Sequence, residues 1–305
     1  MTMVVKADDS ASDAFHLLQE APDGRADVVD GDTVIGTLAD ADVRRAALAA
    51  ADLDAPVRSL VGGTPTPAPD DDRPVTAVVL AGGRGQRLAP LTDKVPKPLL
   101  TVGRTTIVER ILSGLAEAGV TDVWLSVNYK AEMFEERLGD GSELGVRLRY
   151  LREHKPLNTA GPLSILPEPP AGPLLVMNAD QVTALHYARM VEFHRQAGAA
   201  ITVGTFTYDV QVPYGVLQLD GERLTGIVEK PMLRNHCNAG IYVVEPDVVP
   251  LVPRNTFFGM PSLVEAALAA GHGVAAFPIL ETFIDIGTRE ELDKALLWFA
   301  TGEEV

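Results

Sequence analysis

Two periods of apolar residues alternate along this chain. The run "TAVVLA" at 76–81 has the length and β-branched content of a buried strand, and "TIVERILSGLAEAG" at 106–119 repeats its apolar positions at helical spacing before a glycine stop. The pattern then cycles. Strand runs at 122–128, 146–153 and 172–180 flank a helical pattern at 131–139. Strands at 199–209, 215–231 and 238–246 follow, then a helix at 260–271, a strand pair within 274–287 and a last helix at 288–302. This alternation predicts an α/β fold with a mostly parallel sheet and helices on both faces. In such sheets ligands sit beyond the carboxyl ends of the strands.

The first 74 residues have a different rhythm. "ADVVDGDTVIGTLADADVRRAALAA" reads as strand, Asp-Gly turn, strand, then a helix opened by Asp40 or Asp42. "GGTPTPAPDDDRP" has no apolar period and reads as a stiff, extended linker. The expected division is a small N-terminal α/β segment at 1–61, a linker at 62–74 and a main domain at 75–305.

At 305 residues and 46% hydrophobic, the chain can bury a proper core. No stretch approaches the roughly 20 apolar residues of a membrane span, and the opening "MTMVVKADDSASD" has no signal-peptide profile. The single cysteine, Cys237, can form no internal disulfide and reads as a small buried apolar residue, which suits a cytoplasmic protein. A net charge of −16 argues against nucleic-acid and anionic-membrane partners.

That acidity reverses locally. From Arg84 to Arg104 the chain carries Arg84, Arg87, Lys94, Lys97 and Arg104 against Asp93 alone. A solvated basic face is the plain reading of such a run, but glycines stand beside it. "LAGGRGQRLAPLTDKVPKP" follows a strand, and Gly82, Gly83 and Gly85 can bring backbone N–H groups close to phosphate oxygens. The spacing matches neither a P-loop nor a dinucleotide fingerprint. Arg87 offers a planar guanidinium for a polyphosphate, and Lys97 is held between two prolines. Asp180 ends the strand "LLVMNAD", and Asp285 sits in the apolar run "ETFIDIG". Two buried carboxylates from distant segments invite Mg²⁺, which takes one or two carboxylates plus substrate phosphates.

Leu80-Ala81-Gly82-Gly83-x-Gly85-x-Arg87, followed by Pro96-Lys97-Pro98, resembles the signature of the sugar-1-phosphate nucleotidylyltransferases, and the resemblance spans residues 75–305. It implies a Rossmann-like, GT-A-type nucleotidyltransferase fold. It also implies that the glycine loop wraps a nucleoside triphosphate, that Arg87 neutralises departing pyrophosphate, and that Lys97 bridges the α-phosphate and the incoming sugar phosphate. Asp180 and Asp285 would hold Mg²⁺. "REHKPLNTAGPL" resembles the family segment lining the base and sugar pocket, which assigns Asn158, Thr159, Ala160 and Gly161 to the nucleotide side. Gly215 of "VPYGV", Glu229 and Lys230 of "IVEKP", and Asn238 and Gly240 of "NAGIY" resemble its sugar-phosphate-binding segments.

Three departures bear on the acceptor: Asn158 for a usual glycine, Ala179 for the glycine of Asn-Gly-Asp, and Gly259 where relatives often carry an acid. They point to an unusual sugar or a cyclitol phosphate. The subgroup resemblance favours GTP, with thymidylyl and uridylyl transfer open. "IGTLADADVRRA" resembles one CBS motif, but Ala39 and Ala41 replace its hydroxyl and glycine, so packing or dimerisation is expected of the N-terminal segment rather than nucleotide sensing. A homo-oligomer, with a dimer favoured, is the expected assembly. From other classes, a non-catalytic nucleotide-sugar sensor is the alternative, which loss of Arg87, Lys97, Asp180 or Asp285 would support, though all four are present. Against a transferase for a non-sugar phosphate such as phosphocholine, the polyol-type segments argue for a polyol acceptor.

Overall fold

The computed structural model describes residues 3–61 and 71–301. The linker expectation lies outside the described residues over 62–70. The N-terminal unit comprises β1 (Met3–Lys6), α1 (Ala11–Glu20), β2 (Arg25–Asp30), β3 (Thr33–Ala39) and α2 (Asp40–Leu48). β1 lies parallel to β2, and β2 antiparallel to β3. Ser10 Oγ accepts from Asp13 N at 3.0 Å and so caps α1. Of the two candidate openers of α2, Asp42 takes that part, accepting from Ala39 N at 3.0 Å. Asp40 is buried instead against Arg44. Val5, Phe15, Leu18, Val28, Leu38 and Val43 form this unit's core, and Leu280, from the far end of the chain, packs onto it.

The body opens with β4 (Thr76–Leu80), the short α3 (Leu91–Lys94), the two-residue pair β5 (Thr101–Val102) and β6 (Thr105–Thr106), and α4 (Ile107–Glu117). A capping box starts α4: Glu109 Oε2 accepts from Thr106 N at 2.7 Å, and Thr106 Oγ1 accepts from Glu109 N at 3.3 Å. Next come β7 (Asp122–Val127), α5 (Ala131–Leu138), β8 (Arg147–Arg152), β9 (Leu174–Asn178), β10 (Gln181–Thr183) and α6 (Tyr187–Ala197). The chain continues through β11 (Ile201–Gln211), β12 (Val216–Asp220), β13 (Arg223–Val228), β14 (Met232–Val244), α7 (Met260–Ala269), β15 (Val274–Pro278), β16 (Phe283–Asp285) and α8 (Arg289–Thr301).

Seven strands make one sheet in the order β15-β11-β14-β9-β4-β7-β8, in which β14 alone runs against its neighbours. The mostly parallel mixed sheet is therefore as expected. Side chains of β4 alternate between its faces: Ala77 and Val79 join the core under α4, α5 and α8, while Val78 joins that of α7. From β4 the chain steps outward to β7 and β8, then returns to place β9 on the other flank. The carboxyl ends of β4 and β9 thus border a topological switch point, where open α/β sheets leave a crevice.

One helix was not foreseen, and two expectations are corrected. Helix α6 escaped the hydrophobic pattern because Arg189 and His194 are buried on its packed face, interrupting the apolar period. The strands within 274–287 do not pair with each other: β15 lies on β11 and β16 on β10, because the chain turns away at 279–282. Cys237 is half-buried rather than buried. Among the described residues no helix is long and apolar enough to cross a membrane.

Candidate active site

The glycine loop leaves β4 at the switch point and is fastened from behind. Thr92 Oγ1 donates to Gly85 O at 2.9 Å. Gly85 has φ +60°, and a Cβ there would stand 3.0 Å from Thr92 Cγ2 and 3.1 Å from Lys97 Cβ. A Cβ at Gly82 would meet Glu153 Oε1 at 2.7 Å. Gly85 therefore needs glycine, and Gly82 lets the loop lie against the Glu153 carboxylate. Among the described residues the N–H groups of Gly82, Gly83 and Gly85 have no backbone acceptor, so solvent or a ligand can meet them. A cavity of about 540 Å³ opens in front, lined by Leu80 and Ala81, the three glycines, Arg87, Lys97 and Asp180.

Lys97 is 6% exposed, yet its ammonium reaches the cleft. Its Nζ donates to Asp180 Oδ2 at 2.6 Å and lies 3.9 Å from Asp285 Oδ1. Pairing of β10 with β16 sets Gln181 opposite Asp285, and Ile286 N donates to Asp180 O at 3.0 Å, so the two carboxylates are presented by one short ladder. They are less buried than expected. Asp180 is partly open and the Asp285 side chain is 52% exposed, because the ladder ends at the cleft mouth. Partial burial still pushes the Asp285 carboxyl above its usual range, Asp180 adds to the rise, and Lys97 opposes it.

The carboxylate pair fits a hard divalent cation. Asp180 Oδ1 is buried with no hydrogen-bond partner among the described residues, an orphaned oxygen at the cleft floor. The same residues gather no cluster of three or more His, Cys, Asp or Glu side chains, so a metal here would draw its other ligands from phosphate oxygens and water.

Two further cavities continue the cleft. One of about 300 Å³ is lined by Glu153, Asn158, Thr159, Asn178 and Asp180. Asn158 holds φ +64°, so it takes up the left-handed backbone that a glycine would. The other, of about 330 Å³, shares Asn158, Thr159 and Asn178 and adds Asn238, Gly240 and Asp285. Gly240 has φ +71°, with Asn178 Nδ2 only 2.4 Å and Gln181 Nε2 2.6 Å from where a Cβ would be. Its N–H donates to Asn238 Oδ1 at 2.8 Å, and Gln181 Nε2 donates to Ala239 O.

Not every expected residue joins this cleft. Ala160 and Gly161 lie buried behind it, both donating their N–H to Phe258 O at 2.9 Å, and line none of the three cavities. Gly215, Glu229 and Lys230 lie on an arm made by the outer halves of β11 and β14 and the hairpin β12–β13, and they too line none of these cavities. On that arm a Cβ at Gly215 would be 2.9 Å from Glu229 Oε2, so the carboxylate folds over this glycine. Sequence reasoning passed over Glu153, Gln181, Phe206 and Phe283 as site residues. Glu153 accepts from Ser126 Oγ at 2.7 Å and Leu157 N at 2.8 Å, while burial pushes its pKa up. A carboxylate closing the predicted strand "VRLRYLRE" was its available signal; the aromatic pair, stacked at 5.1 Å, carried none.

Comparison with known proteins identifies the family. The family model described as "Nucleotidyl transferase" matches residues 76–297. A probable mannose-1-phosphate guanylyltransferase 1 of Oryza sativa subsp. japonica is 34% identical over 224 residues, which is 69% of this chain and 61% of that protein. A mannose-1-phosphate guanylyltransferase of Mycobacterium tuberculosis is 33% identical over 227 residues, 71% of this chain and 62% of that protein. The chain thus spans about three-fifths of the length of these curated relatives. Among solved structures, a putative glucose-1-phosphate thymidylyltransferase from Bacillus anthracis shares the fold at TM-score 0.60 and 22% identity, over 74% of this chain and 96% of that one. HddC from Yersinia pseudotuberculosis aligns at TM-score 0.57 and 25% identity, over 73% and 99%. With the family match covering more than half its length, the chain belongs to the nucleotidyl transferase family.

Proposed function

We propose that this protein is a nucleotidylyltransferase, joining a nucleoside triphosphate to a sugar 1-phosphate with release of pyrophosphate. The observation that carries this reading is the convergence of Lys97, Asp180 and Asp285 in front of the glycine loop. A sugar 1-phosphate is largely dianionic near neutral pH and already nucleophilic, so no general base is required. One of its phosphate oxygens attacks the α-phosphorus in line, and the bond from that phosphorus to the β-phosphate oxygen breaks. Pyrophosphate leaves with the electron pair. The obstacle is repulsion between two anions, so positioning and charge neutralisation should supply most of the rate.

In this reading Gly82, Gly83 and Gly85 cradle the triphosphate with their N–H groups, and Arg87 meets the departing pyrophosphate. Lys97, held in place by Asp180, sits where the α-phosphate and the acceptor phosphate approach. Asp180 and Asp285 would hold Mg²⁺, which when bound supplies further neutralisation of the triphosphate. The cavity of Asn238 and Gly240 receives the sugar, with Glu229 and Lys230 of the arm recognising its hydroxyls and phosphate. GTP and mannose 1-phosphate are the favoured pair, since the relatives named above are guanylyltransferases for that sugar. The departures at Asn158, Ala179 and Gly259 keep a less common sugar or a cyclitol phosphate in the acceptor set. Catalysis belongs to residues 75–305, working as a homodimer.

Pyrophosphate release, measured for each of GTP, dTTP, UTP and ATP against a panel of sugar and cyclitol 1-phosphates, tests the proposal. Turnover is expected to be highest with GTP. Folded protein that turns over no pair but binds a nucleotide sugar tightly would instead be a sensor, and the proposal would fail.

A further inference from the structure

Several contacts join the N-terminal unit to the body, Arg189 Nη2 donating to Ala21 O and Arg45 Nη2 to Gln196 Oε1 among them, and one is made by a fully buried guanidinium. Arg44 of α2 is 0% exposed. Its Nε and Nη2 donate to Asp40 Oδ2 and Oδ1 at 2.7 and 3.0 Å, within the same helix. Across the junction Nη1 donates to Pro278 O at 2.7 Å and to Glu281 Oε2 at 3.0 Å, and Nη2 donates to Glu281 Oε1 at 2.6 Å. Its Cζ lies 4.2 Å from the Phe277 ring centroid and 4.9 Å from that of Phe15. Every donor nitrogen is used and two aromatic rings pack against the group, an arrangement that suits the five-donor fork of arginine. Glu281 is fixed in turn, its Oε2 accepting from Leu280 N at 3.1 Å.

The gripped segment leads straight to the cleft. Pro278 ends β15, Glu281 lies in the turn, and β16 begins at Phe283. β16 is three residues long and belongs to a sheet of only two strands, so its ladder with β10 has little stability of its own. Beyond that ladder, Ala184 N donates to Thr282 O at 3.0 Å, and Phe283 stacks on Phe206. Upstream, Ile279 N donates to Thr205 O at 2.7 Å, and Arg44 ties down Pro278 and the turn residue Glu281.

We infer that Arg44 is a positioning residue for the site: through Pro278 and Glu281 it sets the turn from which β16 presents Asp285 beside Asp180. The N-terminal unit is on this account a brace for the carboxylate pair. The inference rests on the role proposed above for Asp285.

The test compares three variants of the full chain. Glu281→Gln weakens the grip across the junction. Arg44→Met removes it. Asp40→Asn loses a buried charge in the same cluster but leaves the bonds to Pro278 and Glu281. Amide hydrogen exchange of residues 281–286 and Mn²⁺ binding in the presence of GTP, followed by electron paramagnetic resonance, are read without turnover. Glu281→Gln and Arg44→Met should weaken Mn²⁺ binding about tenfold, the scale seen when an outer partner of a metal ligand is lost. They should speed exchange at 281–286 by about the same factor, reporting a local opening rather than global unfolding. Asp40→Asn lowers global stability by weakening a buried pair, but because the bonds from Arg44 to Pro278 and Glu281 stay in place it should change either local quantity by less than about twofold. If Arg44→Met does not fold, Glu281→Gln decides the question. Unchanged exchange at 281–286 in Glu281→Gln, or an equal effect from Asp40→Asn, overturns the inference. Mn²⁺ binding indifferent to Asp285→Asn overturns it together with the role of Asp285, whereas missing turnover in the unaltered protein would sink only the proposed reaction.

Discussion

The cleft and the arm both carry charges that the proposed reaction uses, but they hold them in opposite ways. In the cleft, Lys97 comes from a proline-bounded turn, Asp180 from the turn between β9 and β10 and Asp285 from β16, and hydrogen bonds lock the three segments together. On the arm, β12 and β13 pair only with each other, and Tyr214, 73% exposed, is one of many large apolar side chains left open, with Leu219 and Ile227. Glu229 and Lys230 sit at the base of that hairpin, where Lys230 N donates to Tyr214 O at 3.3 Å and Val212 N to Pro231 O at 3.0 Å. The difference separates two tasks. Neutralising charge at phosphorus demands groups fixed before the substrate arrives, since fixed dipoles and charges cost no reorganisation during reaction. Recognising the acceptor tolerates ordering on binding, with the cost appearing in affinity.

Breaking the fixed half should therefore have the largest effect. Lys97→Ala is expected to lower kcat by about 10³, as removal of one preorganised charge-stabilising donor does. Circular dichroism should be unchanged. A variant retaining more than a tenth of normal turnover would mean that the cleft cation is not where charge develops.

Asp285→Asn should follow, lowering turnover by about 10² through loss of a metal carboxylate, within the range for outer and inner metal partners. Its effect on stability has the opposite sign. Because the folded-state pKa of Asp285 is raised, the native state holds more protons than the unfolded chain between the ordinary Asp value and the raised one. Folding stability from this group therefore falls as pH rises through that window and stays lower above it. Removing the charge should make the metal-free protein melt slightly higher at neutral pH, and the gain should vanish below the ordinary Asp range. A lower melting temperature at pH 7 would show that attraction to Lys97 outweighs burial and the repulsion from Asp180. In the unaltered protein, Mn²⁺ affinity should weaken as pH drops into the same window, and calorimetry across pH checks the direction.

How legible each region was depends on whether its logic is local. The glycine loop, Arg87 and Lys97 lie within a few residues of one another, and turn chemistry alone suggested an anion site. Asp180 and Asp285 could be named separately, but the β10–β16 ladder that joins them spans distant segments and pairs strands too short to leave a periodic trace. Helix α6 was hidden because it packs with a buried arginine and histidine, which a hydrophobic pattern counts as solvent-facing. The docking of the N-terminal unit was equally silent: Arg44 reads as one polar residue in "DVRRAA", and nothing nearby announces that its partner is Glu281. The left-handed backbone of Asn158, by contrast, suits its standing where a glycine is usual.

A glycine substitution probes the boundary between the two halves. Gly240→Ala places a methyl group against Asn178 Nδ2 and Gln181 Nε2 at a backbone angle that disfavours side chains. It should destabilise the protein by about 1–3 kcal/mol, the range for strain at a special backbone position. Acceptor binding should weaken at the same time, because Asn178 and Gln181 both line that cavity. A melt indistinguishable from the unaltered protein would show that these amides can move aside freely.

The smallest effect is expected on the arm. Glu229→Ala should raise KM for the sugar phosphate about tenfold, the loss of roughly 1.4 kcal/mol in binding. It should leave kcat near normal and the melt unchanged, since the side chain is exposed and supports no core contact. Lys230→Ala should do the same and make KM less sensitive to salt, because an ammonium meeting a phosphate at an exposed position is screened by ions. If either substitution lowered kcat as far as Lys97→Ala does, the arm would have to be fixed against the cleft before the chemical step. The contrast between a rigid phosphate site and an adaptable acceptor site would then fall. An unchanged KM in both would remove the arm from acceptor recognition and leave the cavity of Asn238 and Gly240 to select the sugar alone.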